Sequence, residues 1–198
     1  MVFWFVGLLI KQTRPVWEDG AGDSSALHGS ELAFAKRYNY HVKIQRVYLD
    51  TSEIGGCFDP EFAEWSNGLM QDFRERILKA LLSQVTAAEL SNAPGFVQGV
   101  YAELAALGSE IIEIGESALE LADEYQKRRI LTPNFYDDGL HIAIATVAES
   151  DVLVSWNFKH IVRFDKIRLF NAVNLEYGYR SLQIFSPREV TTYGHAED

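Results

Sequence analysis

The sequence predicts an α/β fold, a central parallel β-sheet of about five strands flanked by helices. Three observations predict it. Short β-branched and aromatic runs alternate with segments of helical period along most of the chain. Most of those runs are unbroken apolar stretches rather than in–out alternations, as expected of strands buried on both faces. At 198 residues with 47% hydrophobic content, the chain can bury the core of one domain.

The elements follow in order from Val42. Arg46–Leu49 reads as a first strand ending in Asp50-Thr51-Ser52, which leads into a loop or a helix start. Pro60-Glu61 opens a helical region to about Arg76, with a break expected at Gly68. Ile77–Leu82 is the next apolar run and a buried strand. Thr86 is placed to cap a helix through Glu89, which Pro94-Gly95 ends, and a further helix covers Phe96–Leu107. Glu110–Ile114 is a third strand. Ser117–Arg128 is a helix with Ala118, Leu121, Ala122 and Tyr125 along one side. Asn134 precedes a mostly apolar helix to about Ala148. Val152–Ser155, Asp165–Leu175 and Leu182–Phe185 complete the pattern as strand, helix and strand.

Residues 1–41 differ from the rest. Pro15, Gly20, Gly22 and Gly29 interrupt any period, and Lys11, Arg14, Lys36 and Arg37 balance Glu18, Asp19, Asp23 and Glu31. Two readings stand: a short accessory, flexible segment, or a stretch upstream of the native start included by start-site choice. The apolar run Met1–Ile10 would span about 15 Å as a helix, roughly half a bilayer core. No basic segment precedes it and no small-residue cleavage site follows, so it makes a poor signal peptide. The single cysteine, Cys57, excludes an intramolecular disulfide and a cysteine-built zinc site, which suits a reducing, cytoplasmic setting without a membrane.

The net charge of −10 falls entirely on residues 42–198 and argues against a general binder of nucleic acid or anionic membrane. It leaves room for an enzyme that reaches nucleic acid through a local basic strip. No G-x-G-x-x-G or G-K-[ST] occurs, and Gly55-Gly56 is too short to cradle a phosphate, so nucleotide-cofactor functions are excluded. An aspartyl phosphatase would want a second Asp two residues after Asp50, where Ser52 stands.

The chemistry concentrates at the carboxyl ends of the predicted strands, where open parallel sheets bind ligands. Asp50 closes the first strand, Glu89 follows the second in the first turns of the next helix, Asp138 opens the apolar helix, and Asn157 follows the fourth strand. Oxygen donors of this kind suit Mg²⁺ or Mn²⁺, held by one or two carboxylates with waters and substrate phosphate completing the shell. Taken singly, each has a structural reading: Asp50 a helix cap, Glu89 a surface charge, Asn157 a loop residue. Asp138 begins a helix that is largely buried and therefore needs a partner. Asp137 points about 100° away, so only one of the two can share a site.

These residues carry a family resemblance. Val47-Tyr48-Leu49-Asp50-Thr51-Ser52, the Ser83-to-Glu89 spacing followed by Leu90, Asp138-Gly139-Leu140-His141-Ile142-Ala143 and Asp151-Val152-Leu153-Val154-Ser155-Trp156-Asn157-Phe158 are similar, in that order, to the motifs of PIN-domain proteins, including VapC-like toxins of type II toxin–antitoxin pairs. The resemblance covers about residues 44–192. It implies a PIN-like three-layer fold, an Mg²⁺- or Mn²⁺-dependent endoribonuclease, and Asp50, Glu89 and Asp138 as acidic metal ligands. It also implies RNA as substrate and an antitoxin protein as partner, and is compatible with a homodimer. The family's fourth acidic place holds Asn157 here, so the catalytic set is Asp50, Glu89, Asp138 and Asn157 with one negative charge fewer. That departure keeps a second reading open, a PIN-like module that binds RNA or a partner without cutting.

Around this set, Thr51, Ser52 and Ser155 are candidate hydroxyls for phosphate or bound water. His141, three residues after Asp138 on the same helical face, is either a pocket residue or a buried structural histidine. Lys159, Arg163, Lys166, Arg168 and Arg180 face only Asp165 and Glu176 over that stretch, and Trp156, Phe158, Phe164, Tyr177 and Tyr179 lie among them. Lys159 and Arg163 are the substrate-binding candidates of that strip. The competing reading is an ordinary amphipathic helix with Phe164, Ile167 and Phe170 in the core. Between Glu103 and Glu124 seven acids occur before any base, a solvated face turned away from RNA.

Overall fold

The computed structural model describes residues 43–193. The expected extension 1–41 lies outside the described residues.

Five strands form one all-parallel sheet in the order β3-β2-β1-β4-β5: β1 Gln45–Leu49, β2 Leu78–Ser83, β3 Glu110–Ile112, β4 Val152–Val154 and β5 Gln183–Phe185. Between β1 and β2 run α1 (Thr51–Gly56) and α2 (Ala63–Arg74). Between β2 and β3 run α3 (Gln84–Leu90) and α4 (Gly95–Ala106). Helix α5 (Glu116–Lys127), a 3₁₀ turn at Pro133–Phe135 and α6 (Tyr136–Val147) lead back to β4, α7 (Phe164–Glu176) joins β4 to β5, and α8 (Pro187–Val190) follows.

Period-two alternation divides the central strand between two cores. Val47 and Leu49 pack with Ile54, Leu69, Phe73, Leu82 and Leu104 on one face. Tyr48 packs with Leu121, Tyr125, Ile142, Leu153 and Phe170 on the other. The chain therefore steps outward through β2 and β3 under helices on one face, then returns through β4 and β5 under helices on the other. The reversal falls between β1 and β4, the position where α/β sheets open a binding crevice. Pairing of Val47 with Val152 and Leu49 with Val154 brings Asp50 and Ser155 out side by side at that point.

Five helices end in the same way. Arg76, Gly108, Arg129, Glu149 and Gly178 adopt positive φ, and the amide that follows each one bonds back to the carbonyl five residues before it, as Ile77 N does to Asp72 O at 2.9 Å.

Two local expectations are corrected, and one further helix is seen. No break occurs at Gly68: α2 runs through it, and the glycine is needed for packing, since a Cβ there would lie 2.6 Å from the Tyr193 Cβ. Asp72, one turn on and buried, binds the Thr191 hydroxyl and the Thr192 amide at 2.8 and 2.9 Å, which fixes that segment across α2. Ser83, not Thr86, caps α3, accepting the Thr86 amide at 3.2 Å, because the strand's last residue already has the extended backbone of a cap. Helix α8, unanticipated, is set by Ser186 and Glu189 as a capping box. No helix among the described residues is long and apolar enough to cross a membrane.

Candidate functional site

Asp50 is 4% exposed and works first as the N-cap of α1, accepting the Glu53 amide at 3.3 Å through Oδ1. The Ser52 hydroxyl donates to the same oxygen at 2.7 Å, and the Ser155 hydroxyl donates to Oδ2 at 2.8 Å. Ser52 and Ser155 are themselves held, accepting the Trp156 and Asn157 amides at 2.9 Å each. The cap reading of Asp50 is therefore seen directly, and it leaves the carboxylate at the carboxyl end of β1. Burial raises the Asp50 pKa, against the His141 charge and these hydrogen bonds.

Glu89 projects from α3. Its Oε2 takes the Thr51 hydroxyl and lies 3.3 Å from His141 Nε2. Although burial pushes this carboxyl up, the His141 and Thr51 hydrogen bonds and the imidazole's charge hold it below the usual value. Asp138, in the first turn of α6, is half-buried and accepts the Asn157 side-chain amide on Oδ1 at 3.0 Å. Desolvation raises its pKa, with the charges of Asp50 and Glu89 adding to the rise. Asp137 beside it is exposed, as the helical angle requires.

His141 is where the acids meet. It is 3% exposed, with Nδ1 2.7 Å from the Tyr48 hydroxyl and Nε2 facing Glu89. Burial alone favours the neutral ring, but the Glu89 hydrogen bond and the charges of Asp50, Glu89 and Asp138 outweigh it and raise the pKa above the ordinary histidine value. The structural reading of His141 is seen directly: the ring is buried and hydrogen-bonded on both sides, to Tyr48 and to Glu89. Behind it, Tyr48 donates to Ser83 at 2.8 Å, Ser83 meets Thr86 at 3.1 Å, and Thr86 donates to Leu49 O at 3.3 Å. This polar thread through the core links the ends of β1 and β2 to α6.

Asn157 is clamped at both ends. Its amide nitrogen donates to Asp138, while its Oδ1 accepts the His160 backbone amide at 3.0 Å. The side-chain oxygen is held by one backbone hydrogen bond, and the side-chain nitrogen serves to orient Asp138.

The hydroxyl assignments change accordingly. Thr51, Ser52 and Ser155, the expected partners of phosphate or water, instead bind carboxylates. Of the basic strip, Lys159 is exposed, with Nζ 5.4 Å over the Phe135 ring, and Arg163 pairs with Asp165 at 2.7 Å. Arg180 lies with Glu149, Asp151 and Leu182 around a shallow pocket at the other end of the sheet, away from the acids. The amphipathic-helix reading of α7 holds only in part: Phe170 is buried, while Phe164 is 77% exposed. Trp156, expected as a stacking surface for bases, is instead stacked on Phe62 at 4.4 Å and donates from Nε1 to Ser66 at 2.8 Å.

Sequence reasoning did not find Glu53. It is fully buried; Oε2 accepts Ser66 Oγ at 3.2 Å and Oε1 has no hydrogen-bond partner among the described residues. Burial and the nearby Asp50 charge push its pKa well above the carboxylate range. The signal that could have found it is the cap spacing, which puts Glu53 in the first turn after Asp50. Its side chain turns inward because the Asp50 amide is already directed to Val154 O.

As a hard-cation site the donor set fits. Among the described residues, Glu89 Oε1 and Asp138 Oδ2 carry no hydrogen bond, and Asp50 Oδ2 carries one. Among the described residues, no three acidic, histidine or cysteine side chains are drawn close enough to enclose an ion by themselves. Waters and a phosphate oxygen would complete the shell, the habit of Mg²⁺.

No family model and no curated protein matches this chain. Among solved structures it is similar to VapBC2 from Rickettsia felis, determined bound to a DNA fragment from the VapBC2 promoter, at 14% identity and a TM-score of 0.45, over 72% of this chain and 98% of that one. It is also similar to Plasmodium falciparum tryptophanyl-tRNA synthetase, at 8% identity and a TM-score of 0.41, over 79% of this chain and 54% of that one.

Proposed function

We propose that this chain is a PIN-like, Mg²⁺- or Mn²⁺-dependent endoribonuclease, with Asp50, Glu89 and Asp138 as its metal-binding carboxylates. The observation that carries the reading is that Glu89 is hydrogen-bonded to the buried His141 and that the charges of Asp50 and Asp138 act on the same ring, the three acids coming from separate parts of a parallel α/β sheet. Holding like charges together costs stability, and such arrangements concentrate at functional sites. A bound cation would supply charge for the scissile phosphate and lower the pKa of an attacking water.

The chain's own groups prepare that pocket. Ser52, Ser155 and the Glu53 amide fix both oxygens of Asp50, Thr51 and His141 fix Glu89, and Asn157 fixes Asp138. Only the last two retain unbonded oxygens, so Asp138 and Glu89 face the ligand most freely. RNA as substrate and the toxin role with an antitoxin partner rest on the motif resemblance of the sequence, and a cytoplasmic setting on its single cysteine and poor signal peptide. A second reading, a module that binds RNA or a partner without cleaving, is favoured by Asn157, whose amide supplies no charge and whose oxygen is tied to the backbone. Incubation with single-stranded RNA and Mg²⁺ or Mn²⁺, with a chelator control, separates the two. Cleavage lost in a folded Asp50→Asn variant supports the nuclease; cleavage unchanged in that variant overturns it.

A further inference from the structure

The loop after β4 and the start of α7 carry a group of donors that the carboxylate chemistry does not use. His160 is buried, its ring is stacked on Phe135 at 3.8 Å, and its Nδ1 lies 3.3 Å from Lys166 Nζ. A lysine ammonium can only donate, so Nδ1 is the acceptor and the ring proton sits on Nε2. That Nε2–H has no hydrogen-bond partner among the described residues. Lys159 reaches over the other ring of the stack, 5.4 Å from the Phe135 centroid.

The nearby acids are committed elsewhere. Asp165 pairs with Arg163, and Asp138 accepts Asn157. No carboxylate is bonded to Lys159 or Lys166 among the described residues. The His160 pKa is lowered by burial and by the charges of Lys166, Lys159 and Arg163, so the ring is an uncharged donor in a cationic setting. Apart from His160 Nδ1, no acceptor is bonded to the Lys159 and Lys166 ammonium groups among the described residues, so the cluster has donors in excess, as anion binding requires.

Its place decides which anion. Asn157 spans the gap, bonding Asp138 through its nitrogen and the His160 amide through its oxygen. A ligand here thus lies next to the acidic pocket, one residue removed from Asp138. Phe158, 51% exposed, stands in the same loop. A lone phosphate would use the cations alone; a polynucleotide would use the cations, the ring and the acidic pocket together.

We propose that Lys159 and Lys166, the second seated on His160 Nδ1, form a phosphate subsite that holds the backbone of single-stranded RNA beside the acidic pocket, with Phe158 as the stacking surface for an adjoining base. The inference rests on the ribonuclease reading for the identity of the polymer. It requires no cleavage, and binding in EDTA therefore tests it separately.

The test is fluorescence anisotropy of a short labelled single-stranded RNA in EDTA across a salt series. Wild type is compared with Lys159→Ala/Lys166→Ala, Lys159→Arg/Lys166→Arg, Phe158→Ala and the off-site control Lys127→Ala. Each lysine that no longer neutralises a phosphate of a single strand lowers the slope of log affinity against log salt by about 0.7, so the double alanine variant should lose about 1.4. The double arginine variant should keep the slope. Phe158→Ala should weaken binding without changing the slope, and Lys127→Ala should bind as wild type. A double alanine variant with unchanged affinity and slope overturns the subsite, as does an equal loss in Lys127→Ala or an absence of RNA binding by wild type. Lysine-dependent binding without cleavage in Mg²⁺ or Mn²⁺ would remove the nuclease reading and leave the subsite standing.

Discussion

Replacing Glu53 by Gln should change how stability depends on pH. Glu53 is fully buried beneath the acidic pocket, has one hydrogen bond to a carboxyl oxygen and feels the Asp50 charge. Its folded-state pKa is therefore raised well above 4.5. A raised carboxyl pKa means that the folded protein holds a proton the unfolded chain releases. The corresponding stability is fully present below the unfolded value and is lost as pH rises through the folded one. Gln keeps the shape and an acceptor for Ser66 without a titrating group. The stability of Glu53→Gln minus that of wild type should rise with pH above about 4.5, by as much as about 1.4 kcal/mol per pH unit until the folded pKa is passed. Gln also places an NH₂ near the unpartnered Oε1 position, which costs about 1–2 kcal/mol at every pH. The slope of the difference, not its offset, is the diagnostic quantity. Urea unfolding of both proteins by circular dichroism from pH 5 to pH 8 measures it. A difference that stays constant over that range would show that Glu53 ionises in the fold as in the unfolded chain, and the burial argument would be wrong.

Other changes have equally definite outcomes. Asn157→Asp places a carboxylate against Asp138 Oδ1, 3.0 Å away in the wild-type pair, and removes its donor. The variant should unfold about 1–3 kcal/mol more easily at neutral pH, and added Mg²⁺ or Mn²⁺ should recover more Tm than in wild type; an unchanged Tm in both conditions would discredit the clamp. His141→Gln should remove stability that is present below pH 6.5 and lost as pH rises through the raised folded pKa, so the two unfolding curves should converge on the alkaline side. Parallel curves would mean that the histidine is neutral in the pocket. Glu149 holds φ at 51° at the end of α6, and Glu149→Gly should stabilise the fold by about 1 kcal/mol, read as a higher urea midpoint.

The layer order was legible because the buried strands are short apolar runs separated by helical periods, and all five appear within a few residues of their expected positions. Asp50, Glu89 and Asp138 could be singled out as candidates because a parallel sheet fixes which end of each strand is open to ligands. The support around them could not. Whether the Thr51, Ser52 and Ser155 hydroxyls face phosphate or carboxylate depends on side-chain geometry that the spacing does not reveal: the carboxylate partner lies 38, 2 and 105 positions away, respectively. Trp156 has the look of a base-stacking ring in the sequence, but Gly56 admits it against Ser66; a Cβ at Gly56 would lie 2.7 Å from the indole nitrogen. Gly68 reads as a helix break because glycine lowers helix propensity, whereas here its missing side chain makes room for Tyr193.

On the proposed reading, Asp50, Glu89 and Asp138 bind a divalent cation in the folded protein. Isothermal titration calorimetry of Mn²⁺ into wild type and Asp138→Asn tests it without reference to any substrate. Binding to wild type that is lost in the folded Asp138→Asn protein, with a matching rise in Tm for wild type alone, is the result the pocket predicts. Equal binding to both proteins, or none to wild type, would contradict it.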